Sequence, residues 1–260
     1  MVTTYLPEPS HIQTHIHKHV MHIKITRLNK KNALTYAMYG QLVVAINTAV
    51  QDLTICSILL YGEATIFTAG NDIELFLNTP SIDGQASIFQ FMRTFSECPK
   101  PIIVAVNGPA IGIGATLLLH ADLVYMADNT YLSMPFVTLG VCAEFASSLL
   151  LPALCGTAKA SEILLLGENI TAKQAYDLGI VTQILPANNV LIQATQKAEQ
   201  FAYCSPDAVQ TSKYLMRAPK YAAIDAAIER EAIQFNRLLH SPHAKEAIAA
   251  FVQKHKANFF

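Results

Sequence analysis

The sequence predicts a mixed α/β core followed by an all-helical C-terminal region, on three observations. Short, continuously apolar runs at 55–62 (ICSILLYG), 101–108 (PIIVAVNG) and 121–128 (ADLVYMAD) have the character of strands covered on both faces. Helix-spaced apolar positions separate these runs up to about residue 200. Beyond Ser205-Pro206 the pattern is helical only. The core is therefore placed in residues 1–200 and the helical region in residues 201–260.

Each element has its own signal. HIQTHI and HVMHIKITR alternate as a strand pair, with His17-Lys18 near the bend. Thr35 is an acceptable N-cap for a helix with Met38, Leu42, Ala45, Ile46, Ala49 and Leu53 on one face. A loop, IFTAGNDIELF, leads to a helix over 85–97 and then to the strand PIIVAVNG. In ITAKQAYDLG, Thr171 and Gln174 form a capping box and Gly179 stands beyond the helix end. GIVTQIL returns as a strand, and Ser-Pro starts at 205 and 241 open the last helices.

Composition excludes several classes. Apolar residues make up 52% of the chain and charged ones only 14%, with 18 basic against 19 acidic residues. That excludes disorder, and the lack of any basic stripe argues against nucleic-acid binding. The apolar stretch 101–121 is long enough to span a bilayer, but Asn107-Gly108-Pro109 breaks it into strand, turn and helix, so no membrane span is expected. The N-terminus reads as no signal peptide. The five cysteines form no CxxC pair, so a soluble cytoplasmic protein with reduced thiols is expected. His11, His15, His17 and His19 invite a metal reading, but no carboxylate or cysteine completes a set, and an exposed hairpin face with no metal is expected.

From Pro101 to Ala158 there is no Lys or Arg, and the carboxylates are Asp122, Asp128 and Glu144. Asp122 reads as a partner for backbone or a buried polar group, and Asp128-Asn129 as a turn. Glu144 sits among Val141, Cys142, Ala143, Phe145 and Ala146, fifteen positions from Lys159. It is either a helix-terminal carboxylate satisfied by backbone N–H groups or a base of raised pKa. Two glycine turns, 68–73 (TAGNDI) and 107–115 (NGPAIGIGA), follow apolar strands and lead into helices. They either pack helix against strand closely or aim two free N–H groups into a cleft, as an oxyanion hole requires.

The ordered set NKKNAL, FTAGNDI, AVNGPAIGIG and AFVQKHKANF resembles the enoyl-CoA hydratase/isomerase family, the crotonase superfamily, from about residue 15 to the C-terminus. The resemblance implies a spiral of ββα repeats with a helical C-terminal trimerisation region, and an acyl-CoA thioester substrate that carries its own coenzyme A, with no further cofactor. It places oxyanion donors on Asn71 and Ile113. Lys30, Lys31, Ala33, Ala69, Asp72, Ile73, Phe136 and Lys254 fall where the family binds CoA and substrate. A homotrimer or dimer of trimers is the implied assembly.

The departures select within the family. The two hydratase glutamates are replaced by Thr116 and Phe136, neither of which can hold water or deliver a proton. LGVCAEFASS resembles the LGxxPEGxSS segment of the monofunctional Δ3,Δ2-enoyl-CoA isomerases, which makes Glu144 the catalytic base, with Cys142-Ala143 in place of the usual small residue and proline. Isomerisation is the expected reaction, with hydration or catalytically silent acyl-CoA binding as alternatives. Phe76, Leu77, Met134, Phe136, Leu139, Val141 and Phe145 are offered as acyl-pocket or ordinary core residues.

Overall fold

The computed structural model describes residues 10–73, 87–253 and 255–259; Phe76, Leu77 and Lys254 lie outside the described residues. The chain opens as an antiparallel hairpin, β1 (Ile12–His17) and β2 (Val20–Ile25). Its turn residues Lys18 and His19 both have positive φ, the twist that a two-residue hairpin turn needs. His15, His17 and His19 are exposed. His15 stacks across the strands on His22, which is buried. Among the described residues no group of His, Cys, Asp or Glu is placed to hold a metal ion, and all five cysteines are free thiols.

Helix α1 (Tyr36–Gln51) is capped by Thr35, whose side chain accepts from Met38 N–H. The expected face is buried except Leu53, which follows the helix end and is 91% exposed. β3 (Ser57–Tyr61), β4 (Ile102–Val106), β6 (Leu123–Ala127) and β9 (Gln183–Leu185) continue from β2 as a parallel sheet in the order β1-β2-β3-β4-β6-β9. A second sheet holds β5 (Ala110–Ile111), β7 (Tyr131–Ser133) and β8 (Ile170–Thr171). The chain therefore delivers β4 to the large sheet and β5 to the small one, then β6 to the large and β7 to the small. Each such pair runs toward a helix, α3 (Ile113–Thr116) and α4 (Ser147–Leu166) respectively. That winding is the expected spiral.

Both faces of the large sheet are covered, which is why its strands read as unbroken apolar runs. Ile102, Val104 and Val106 point into the main core. Ile103 and Ala105 point the other way, onto Val190, Ala194 and Ala198 of α6 (Ala187–Gln200). The remaining helices are α2 (Ser87–Ser96), α5 (Ala172–Asp177) with its capping box at Thr171 and Gln174, α7 (Pro206–Leu239) and α8 (Pro242–Val252). Ser205 and Ser241 cap the last two. Ile224, Ala227, Ile228, Phe235, Leu239, Ala244 and Ile248 belong to the same core as the sheet, so the C-terminal helices share that core with the spiral.

By length and composition α4 alone among the described helices could cross a bilayer. Gly156, at φ 78° and ψ 159°, interrupts its helical conformation midway, so no uninterrupted span of about 20 residues remains.

Asp122 has the structural role expected of it. It accepts from Ile102 N–H at 2.7 Å and pairs with Lys213 at 2.6 Å and Arg217 at 2.9 Å, tying α7 to the sheet. Asp128 lies in a turn after β6, as its sequence suggested. Because the Lys213 side chain is only 7% exposed, Asp122→Ala strands a buried ammonium. The substitution is expected to cost about 3–5 kcal/mol in urea unfolding; a loss below about 1 kcal/mol would show the cluster to be energetically idle.

Candidate active site

Three segments from distant parts of the chain meet around one cavity of about 140 Å³: the turn 69–73, the turn 111–112 and the stretch 135–144. Phe235 of α7 and Phe251 of α8 close it from the C-terminal side. Of the expected acyl-pocket residues, Phe136, Leu139 and Val141 line it, while Met134 and Phe145 are core. Glu144 is the one ionisable side chain among its described lining residues.

The first turn is held by NKKNAL. Asn32, fully buried and at φ 56°, accepts from Arg27 N–H at 2.8 Å and donates to the carbonyls of Ile66 and Phe67. Its own carbonyl accepts from Thr68 Oγ1, and Ala69 N–H donates to the Lys31 carbonyl. Arg27 then binds Asp72 at 2.5 Å and the Ala33 carbonyl at 3.0 Å. Lys30 and Lys31 stand exposed outside this loop, and Ala33, Ala69 and Ile73 are half-buried along it. The Asp72 carboxylate points inward to Arg27, so this side chain locks the turn.

The two glycine turns touch. Ile111 N–H donates to the Thr68 carbonyl, and Phe67 and Thr68 N–H to the Pro109 carbonyl. Gly70 sits at φ 85°, and a Cβ there would fall 2.7 Å from the Ile111 carbonyl oxygen. Gly112, at φ 55° and ψ −122°, leads into α3. The reading that these glycines permit close approach therefore holds. Asn71 N–H and Ile113 N–H donate to no acceptor among the described residues, the latter because it opens a helix.

Glu144 lines the same cavity as Asn71 and Gly112. It is 6% exposed, its Oε2 accepts from Asn71 Nδ2 at 3.4 Å, and its Oε1 is buried with no partner among the described residues. Burial and then the nearby Glu231 carboxylate push its pKa up to about 8, against the Asn71 hydrogen bond, which favours the charged form. The Asn71 amide is itself oriented by Tyr39, whose hydroxyl donates to Asn71 Oδ1. Phe136 is packed in the wall, and Thr116 turns its hydroxyl back toward the Ile113 carbonyl at 3.4 Å.

The turn that carries Glu144 departs from sequence expectation. Phe145 and Ala146 both have φ near 55°, a left-handed conformation costing about 1–2 kcal/mol per non-glycine residue. Ser147 returns its N–H and hydroxyl to the Glu144 carbonyl. His120, buried and held neutral by a pKa lowered to about 4, stacks on the Phe145 ring and hydrogen-bonds the Phe145 carbonyl at 2.8 Å. Glu231 of α7 accepts from Ala146 N–H at 2.6 Å, Ser148 N–H at 2.9 Å and the Ser148 hydroxyl. Sequence reasoning missed Tyr39, His120 and Glu231. The last was signalled by its place on the apolar stripe Ile224, Ile228, Glu231, Phe235.

A two-sheet spiral closed by C-terminal helices, with a buried carboxylate facing two glycine turns, defines a protein of the crotonase superfamily. The chain belongs to its enoyl-CoA hydratase/isomerase family, whose family model matches residues 15–260. It is 32% identical over 238 residues to enoyl-CoA delta isomerase 2 of Rattus norvegicus, covering 89% of this chain and 61% of that protein, so it spans about three-fifths of this relative's length. It is also 32% identical to 2,3-dehydroadipyl-CoA hydratase of Escherichia coli, with 92% and 94% covered. Among solved structures, OdaA of Pseudomonas aeruginosa superposes with a TM-score of 0.91 at 41% identity, over 94% of this chain and 99% of that one. Isomerase and hydratase names both occur among relatives at equal identity, so the reaction is argued from the site.

The raised pKa of Glu144 has a stability consequence of definite sign. Its contribution is fully present below the unfolded value of 4.5 and is lost as pH rises toward about 8. Glu144→Gln, neutral throughout, is expected to raise Tm at pH 8 by at least about 2 °C and to leave it unchanged at pH 4.5. Equal shifts at both pH values would show that the carboxyl is not buried as charge.

Proposed function

We propose that the protein is a Δ3,Δ2-enoyl-CoA isomerase in which Glu144 is the single base. The carrying observation is that Glu144 is the one ionisable group among the described residues lining the cavity, with Thr116 turned away and Phe136 apolar at the two hydratase positions. Moving a double bond from C3–C4 to C2–C3 needs one proton taken from C2 and one returned at C4, which a single carboxylate between the two carbons performs without water. The thioester oxygen accepts from Asn71 N–H and Ile113 N–H, and these donors hold the enolate between the two proton transfers. Losing one such donor costs about 3–4 kcal/mol in a typical case.

The CoA moiety runs along the rim formed by NKKNAL and AGNDI. Lys30 and Lys31 receive its phosphates, and the Ala69 carbonyl receives its adenine with Ala33, Asp72 and Ile73 beside it; Lys254, outside the described residues, is assigned to CoA binding by the family resemblance alone. Coenzyme A arrives with the substrate, and no separate cofactor takes part. The chain works in the cytoplasm as a homotrimer or dimer of trimers, and the exposed Leu154, Leu165 and Leu166 of α4 and Leu215 and Met216 of α7 support such contacts. Light scattering is expected to give three or six times 28.4 kDa.

Assaying 3-enoyl-CoA and 2-enoyl-CoA side by side separates the reactions. Isomerisation raises the conjugated-enone absorbance of the first; a hydratase instead consumes that of the second, and a silent binder changes neither. Glu144→Gln is expected to reduce isomerisation by at least about 10³-fold, and a variant that keeps most of the rate would remove Glu144 from the role of base. In the wild type, kcat/KM is expected to rise tenfold per pH unit up to about 8 and then level, because only the ionised Glu144 accepts a proton.

A further inference from the structure

Glu144 lines two cavities. One is the space beside the glycine turns; the other, about 20 Å³, is lined in part by Glu144, Phe145, Glu231 and Asn236. Glu231 approaches this second cavity from α7, more than eighty positions along the chain. It is 6% exposed, and both of its oxygens accept hydrogen bonds from the turn that carries Glu144. Ala146 supplies no side-chain cap to α4, so a carboxylate from another helix takes that place, where the helix N-terminus favours negative charge.

We propose that Glu231 is a positioning residue for Glu144, clamping its strained turn from α7 and facing it with a second negative charge. The inference rests on Glu144 being the base. Three donors converge on Glu231 and favour its charged form, against the burial that raises its pKa. The other titratable or charged groups nearby do not compete. Tyr39 on α1 and Cys142 on the turn are held neutral by burial, Cys142 with its pKa pushed up to about 11. His120 is neutral below α3. Arg230 and Arg237 of α7 act on Glu231 and Cys142 respectively. Glu231 thus does two separable things: its hydrogen bonds set where Glu144 points, and its charge sets how strongly Glu144 holds a proton.

Glu231→Gln separates them from plain structural support. The variant keeps the side-chain size but loses the charge and turns an amide N–H₂ toward one of the N–H donors. In the pH profile of kcat/KM for 3-enoyl-CoA, the acid limb is expected to move down by at least about half a unit while the plateau falls about tenfold. An unchanged midpoint, with activity falling only as the folded fraction falls, would overturn the proposal. A carboxyl titration of ¹³C-glutamate-labelled protein gives the same reading without turnover. One resonance titrating near pH 8 is expected in the wild type, absent in Glu144→Gln and moved to lower pH in Glu231→Gln; a resonance that stays in place sinks the inference even in a protein that isomerises nothing. Loss of 3-enoyl-CoA turnover in the wild type would instead sink the reaction alone. Should Glu231→Gln fail to fold, Ser148→Ala removes one of the three donors and keeps the charge. It is expected to lower the plateau about threefold with the midpoint unmoved, and a wild-type plateau would count against the clamp.

Discussion

A buried carboxylate without a cation is the constraint to which the rest of the molecule answers. Glu144 lies in a stretch with no Lys or Arg, and among the described residues the groups that act on it are the Asn71 amide and the Glu231 carboxylate, within apolar surroundings. Such a group is stable only as the neutral acid or when hydrogen bonds compensate its charge. One amide hydrogen bond at 3.4 Å compensates it weakly. The resting site therefore holds a carboxyl that mostly keeps its proton at neutral pH and ionises near pH 8. The proposed reaction, at a carbon acid beside a thioester, needs a base of that strength, and the buried carboxyl costs stability at higher pH.

The Asn71 residue joins the two halves of the site. The residue lines the cavity, its backbone N–H has no acceptor among the described residues, and its side chain reaches Glu144. Tyr39, buried on α1, donates its hydroxyl to the amide oxygen and so directs the amide N–H₂ toward the carboxylate. Replacing the residue would disturb the donor geometry and the proton affinity of the base at once. The close contact of the two glycine turns extends that coupling, since Ile111 N–H binds the Thr68 carbonyl and fixes the second turn on the first. The two glycine turns and Glu144 are one hydrogen-bonded unit.

Much of this was legible in the sequence because it is local. The hairpin, the Thr35 and Ser205 caps, the capping box at Thr171 and the strands covered on both faces follow from spacing within a few residues. Leu53 was misplaced because helical periodicity carries no signal for where the helix stops, and α1 ends at Gln51. Asp72, which the resemblance places by the adenine end of CoA, has its carboxylate paired with Arg27, forty-five positions upstream, a contact no spacing rule announces. Glu231 and His120 act on the Glu144 turn from other elements, and no spacing rule links them to it. The same holds for Asn32, whose three side-chain hydrogen bonds staple one loop to another. What the sequence withheld is the set of contacts that only closure of the spiral creates.

Phe145 shows how the site and the core constrain each other. Glycine would relieve the left-handed strain at this position, a gain of about 1–2 kcal/mol. It would also empty the space between His120, Phe91 and Phe95, where the ring is 1% exposed; removing a buried aromatic side chain costs about 3–5 kcal/mol. The packing outweighs the strain, so the residue is retained in a conformation it disfavours. The left-handed turn is then stable only while Glu231 caps Ala146 and Ser148 and His120 holds the Phe145 carbonyl. The direction in which Glu144 points is thus set by core packing and by α7, and any change in how the C-terminal helices sit on the core is transmitted to Glu144.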